Sequence, residues 1–226
     1  MNSKKKNIEA QIVEDFEKIR PAITRLLQTQ MKNDDLSLRY GRSKSNSKND
    51  IVINPSILVN TISKTNLDRD EVMIGTVVHE AIHATNNYSL DSESLNKLFP
   101  DELDDVEDID DVLEILTGPF GKYVFDILIH SIEEKIFVKQ YEGLNSILED
   151  IYTESFSEIK KLGNFSQYLS LLFHSITSYI DPEFENYKKP VVSSLNESLH
   201  ILKTLNYENV NVSELILSLI HISEPT

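Results

Sequence analysis

Asp70-Glu71-Val72-Met73-Ile74-Gly75-Thr76-Val77-Val78-His79-Glu80-Ala81-Ile82-His83 is the stretch on which the reading of this chain turns. Its apolar residues recur on almost every side of a 3.6-residue period, which predicts a helix buried nearly all round. Asp68 stands just before it as an N-cap, with Glu71 three residues on in a capping-box arrangement. On such a helix His79 and His83 lie one turn apart on one face, with Glu80 beside them.

The chain on either side reads as mostly helical. Ile8, Ile12, Phe16, Ile19, Ile23, Leu26 and Leu27 mark an amphipathic helix over about 8–32, which Pro21 is expected to kink or split. Residues 36–40 and 50–54 alternate as strands, the second stopped by Pro55, and across the polar residues 41–49 they are expected to pair as a hairpin. Helices follow at about 104–117, 121–141, 144–161, 165–180 and 188–206, with a shorter one near 212–220. Gly118-Pro119, Gly143, Gly163 and Asp181-Pro182 punctuate them. The expected fold is α+β and mostly helical. Residues 1–142 form the region built around the histidine helix, and 143–216 a helical region of the same domain or a subdomain.

Composition narrows the function. Hydrophobic residues make up 40% and charged residues 26%, an ordinary globular balance, and no apolar run nears the roughly 20 residues of a membrane span. A formal net charge of −15 opposes binding to a phosphate backbone. Basic residues gather only at Lys4–Lys6 and between Arg42 and Lys48. No nucleic-acid or membrane partner is expected, and no signal-peptide core follows the N-terminal lysines. The chain has no cysteine, so a metal would be held by His, Asp or Glu, and the cytoplasm is the default compartment.

His79-Glu80-Ala81-Ile82-His83 is an H-E-x-x-H arrangement. Two imidazoles one turn apart can converge on a zinc ion, and Glu80 can reach the water that the metal activates, as general base. A catalytic zinc usually takes a third protein ligand. The histidine expected six residues after His83 in the metzincin continuation is Ser89. A later apolar helix carries His130 and Glu133 on one face with Glu134 beside them. Glu133 is the first choice for third ligand, with His130 and Glu134 as alternatives; Glu134 could instead orient a ligand histidine. Tyr88, His130, Tyr141 and His174 are candidates for stabilising an oxyanion, although His174 sits among Leu171, Leu172, Phe173 and Ile176 as a core histidine would.

The run from Asp70 to His83, followed by His130-Ser131-Ile132-Glu133-Glu134, resembles the gluzincin-type zinc metallopeptidases of bacteria and their phages. The resemblance covers about residues 36–140. It implies a zincin-like domain that hydrolyses peptide bonds in peptide or protein substrates. In that family the later helix carries Asn-x-x-Glu-Asp with the Glu as third ligand. Glu133 therefore maps to the ligand, while His130 and Glu134 depart from the pattern. The segment leading to Ile53-Asn54-Pro55-Ser56-Ile57-Leu58 also resembles SprT-like peptidases, which use a third His and act on DNA-bound proteins. The acidic charge and the carboxylate-bearing helix make that the alternative. A binding protein that keeps the fold without catalysis is another, using the helices after about 144 for partners. An intact Glu80 favours the enzyme over that reading.

Two segments stand apart. Residues 91–114 carry eleven acidic residues and one lysine, a solvated acidic stretch or a cleft rim for cationic substrates. Residues 217–226, Leu-Ser-Leu-Ile-His-Ile-Ser-Glu-Pro-Thr, resemble the translation of an adapter used in sequencing libraries. This resemblance implies a non-native tail that was never selected to pack, and it sets His221 aside from site reasoning.

Overall fold

The computed structural model describes residues 2–41, 49–64, 66–85, 99, 109–140, 142–156, 158–179, 183–203, 205 and 211–223. The chain divides into two compact units, Met1–Asn87 with Phe137–Ser157, and Tyr88–Ile136 with Glu158–Thr226. Most of the expected acidic stretch lies outside the described residues.

The first unit contains α1 (Asn2–Met31), β1 (Ser37–Tyr40), β2 (Asp50–Ile53), α2 (Pro55–Lys64), α3 (Arg69–Thr85) and, in its C-terminal portion, α6 (Glu142–Phe156). Its core is the α1 stripe Ile12, Phe16, Ile23 and Leu27 closed over Leu38, Ile51, Ile53, Leu58, Met73, Val77 and Ala81. Pro21 sits inside α1 without ending it. Pro21 is exposed while Phe16 and Ile23 are buried, so the core contacts on the other face carry the helix past the missing N–H.

The two strands pair, but in parallel, which corrects the expected hairpin. Leu38 lies opposite Ile51 and Tyr40 opposite Ile53, so apolar residues share the core face. The other face brings Arg39 onto Asp50, whose carboxylate oxygens accept from Nε at 2.8 and 3.0 Å and from Nη2 at 2.6 Å. One face must bury, and that condition sets the register. Residues 41–49 also exceed the two to five residues of a hairpin loop, so no tight turn imposes an antiparallel direction.

Local signals start the helices. Asn54 accepts the Ser56 N–H on Oδ1 at 3.0 Å, and Pro55 takes the first helical position of α2, where its missing N–H costs nothing. Asp68 accepts the Asp70 N–H on Oδ1 at 2.8 Å and so caps α3. Helix α3 packs on α1, α2, β2 and α6. Gly75 is where α6 comes closest: a Cβ there would fall on the Ile151 Cδ1 atom and 3.1 Å from Ile147 Cγ2. The absent side chain lets the two helices approach.

The second unit contains α4 (Ile109–Thr117), the run of α5 (Gly121–Gln140) up to Ile136, α7 (Asn164–Thr177), α8 (Lys189–Leu202) and α9 (Val212–Ser223). Gly118 joins α4 to α5 with φ +72°, a left-handed conformation that suits glycine. Helix α8 packs on α7 and α9, and α9 on α4. The Tyr168 hydroxyl and Ser198 Oγ, 2.8 Å apart, tie α7 to α8 in the buried layer. Lys135 Nζ donates to the Ile176 carbonyl at 2.7 Å, placing a cation at the C-terminus of α7.

The last helix bears on residues 217–226. Asn211 caps it through the Ser213 N–H at 2.8 Å, and its buried residues Val212, Leu215, Ile216 and Leu219 fall at helical spacing. Leu219 is fully buried. The adapter resemblance concerns the origin of these residues, whereas their packing follows from period: Leu219 extends a stripe begun by Leu215 and Ile216. Removing residues 217–226 is therefore expected to cost at least about 2 kcal/mol, the lower end for losing one buried leucine side chain. Urea unfolding checks this. A change within about 0.5 kcal/mol, usual for uninvolved surface positions, would show that the segment contributes no packing. Among the described residues, no helix is long and apolar enough to cross a membrane.

Candidate functional site

Helix α3 carries the expected pair His79 and Glu80 in the first unit. Val77, Val78, Ala81 and Ile82 around them are buried to 1% exposure or less. Glu80, at 7% exposure, is itself inside that apolar environment, and His79 is half-buried. His83 lies one turn on in the same helix, and its side chain is outside the described residues. Tyr88 and Tyr141 are outside them too.

Nothing in the sequence pointed to Tyr152, which meets His79. The Tyr152 hydroxyl on α6 lies 3.1 Å from His79 Nδ1. Gly75 and His79 are four residues apart and share a face of α3, and Ile151 of α6 lies against Gly75. The close approach of the helices at the glycine thus brings the next residue of α6, Tyr152, to the imidazole. The two residues are 73 positions apart, and no spacing rule reaches that far.

Glu133 and Glu134 are on α5 in the second unit, at 5% and 0% exposure. His130 Nε2 lies 3.3 Å from Glu134 Oε2, an i, i+4 pair along the helix, and its ring stacks on Phe173 with centroids 5.4 Å apart. His130 and Glu134, the two positions that depart from the Asn-x-x-Glu-Asp pattern, thus pair with each other.

In kind, an imidazole nitrogen such as that of His79 and carboxylate oxygens such as those of Glu133 and Glu134 are each donors that zinc accepts, and the hydroxyl against His79 Nδ1 can take a hydrogen bond from the ring.

His174 is a core residue. It is buried, with Phe173 edge-on at 5.3 Å, and burial lowers its pKa from 6.5 to about 4, with the Glu134 carboxylate pulling weakly the other way. A base whose folded pKa is depressed loses folding stability as pH falls from its unfolded value through its folded one. For His174 that window runs from about 6.5 to 4, and 2.5 pKa units correspond to roughly 3 kcal/mol. Urea midpoints at pH 7 and pH 4.5 should therefore fall further for wild type than for His174→Leu. Equal falls would show that the imidazole is not the group being charged.

The second unit also holds a cavity of about 460 Å³, with Val124, Phe165, Tyr168, Val191 and Ile222 among its walls and Glu197 among its polar groups. Phe120, 63% exposed, stands against Phe165 with ring centroids 5.0 Å apart. Comparison of the chain with protein-family models, with curated proteins and with solved structures finds no match.

Proposed function

We propose that the protein is a zincin-like, zinc-dependent metallopeptidase of gluzincin type, with His79, His83 and Glu133 as metal ligands and Glu80 as general base. The observation that carries this reading is Glu80 itself. It is a carboxylate at 7% exposure in the apolar helix α3, next to a histidine whose Nδ1 meets a hydroxyl. Burying a carboxylate is costly; for a general base, burial keeps competing water away and holds the side chain in a fixed geometry.

Bound zinc would supply Lewis acidity, polarising the scissile carbonyl and lowering the pKa of water at the site. His79 and His83, one turn apart on α3, would hold the ion, and Glu133 would add a negative donor. Glu80 takes a proton from the attacking water and passes it to the leaving amine, so that the C–N bond breaks with the amine neutral. The strong net negative charge favours basic peptides over nucleic acid.

The test is a mixed peptide library read by mass spectrometry. Zinc-loaded protein should give defined cleavage products, and a chelator should abolish them. A library left intact by zinc-loaded protein would favour the second reading, a catalytically silent binding protein. The aromatic-walled cavity between α7 and α8 supports that alternative, because its volume falls in the range of ligand pockets.

A further inference from the structure

We propose that Tyr152 is a positioning residue for His79: its hydroxyl accepts the Nδ1 proton and holds the imidazole in the tautomer whose Nε2 lone pair can ligate a metal. The inference rests on the reading of His79 as a zinc ligand and deepens it.

A neutral imidazole has one N–H and one lone pair, and whichever nitrogen holds the proton decides which can ligate. Tyr152 Oη lies 3.1 Å from Nδ1, within hydrogen-bonding distance for either direction of donation. If the phenol donated, the proton would sit on Nε2 and close that nitrogen to a metal. If it accepts, Nε2 keeps its lone pair. Withdrawal of electron density through Nε2 makes Nδ1–H a stronger donor, so metal binding and acceptance by the phenol reinforce each other.

The arrangement is built into the packing. Gly75 removes the side chain that would separate α3 from α6, and Ile147 and Ile151 fill the space. His79 is one turn beyond Gly75, and Tyr152 follows Ile151. Both side chains are half-buried, so the contact is partly shielded from competing water. Ligand histidines usually donate to a carboxylate, a carbonyl or water. A neutral phenol orients the ring without adding a charge beside Glu80.

The experiment pairs two readouts on the full chain. The imidazole ¹⁵N shifts of His79 in zinc-free protein, assigned by comparison with His79→Ala, should report a proton on Nδ1 in wild type. Tyr152→Phe should lose that preference. Zinc affinity, measured by competition with a chromophoric chelator, should fall about 10–100-fold in Tyr152→Phe, with thermal unfolding confirming that the variant is folded. A wild-type ring protonated on Nε2 overturns the proposal, and that measurement does not depend on any variant folding. Unchanged zinc affinity in Tyr152→Phe, when His79→Ala has lost zinc, overturns the proposal and leaves His79 a ligand. If His79→Ala binds zinc like wild type, the ligand reading itself fails.

Discussion

Glu80→Gln should abolish most peptide cleavage while leaving the zinc content unchanged. The substitution keeps the side chain's size and some of its hydrogen bonding but removes the base. Base catalysis by a positioned side chain typically contributes about 10²–10⁴-fold, so turnover of any library peptide cut by wild type should fall at least that far. The zinc count should hold, because the proposed role of Glu80 addresses water and not the metal. The buried setting sharpens the comparison, since water cannot easily substitute for the missing carboxylate at 7% exposure. Thermal unfolding of the variant separates loss of the base from loss of the fold. Identical products at identical rates from wild type and Glu80→Gln would assign the cleavage to another residue or to a contaminant.

His79→Ala and His83→Ala should each abolish the binding of about one zinc per chain, because a catalytic zinc depends on three protein ligands. Among the acidic residues of α5, Glu133→Ala should lose far more affinity than Glu134→Ala. Removing a ligand takes a bond from the metal, whereas removing an outer partner typically costs about 10–100-fold. Glu134 already pairs with His130 at 3.3 Å, which gives it a role short of ligation. Metal analysis of these four variants and of His130→Ala decides among the assignments. Zinc retained by both histidine variants would remove the site altogether. Loss in Glu134→Ala with retention in Glu133→Ala would move the ligand by one position, and an effect confined to His130→Ala would move it there.

Much of the architecture was readable from local pattern, because it depends on interactions a few residues long. Asp68, Pro55 and Gly118 work through their own or neighbouring backbone groups, so the strand end at 55, the helix start near 69 and the break at 118 could be placed in advance, whereas the Asn54 cap of α2 was not foreseen. The apolar encirclement of α3 announced its burial, and Glu80 within it stood out for the same reason. The i, i+4 stripe that predicted a helix near 212–220 also carries it on to Ser223, whatever the origin of those residues.

Strand direction was not legible in that way. Alternation marks a strand and its faces but says nothing of which end its partner starts from. Face matching fixes the parity of the register but not the direction, which is a tertiary outcome; in it Leu38 and Tyr40 meet Ile51 and Ile53 over one core and Arg39 reaches Asp50. The environment of the histidine helix was likewise a tertiary outcome. By itself the sequence determined that His79, Glu80 and His83 share a buried helix, since periodicity and capping act within a few turns. Only the tertiary structure decided that Tyr152 meets His79. That contact depends on how closely two helices pack at Gly75, and packing distance is set by side chains far apart in the chain.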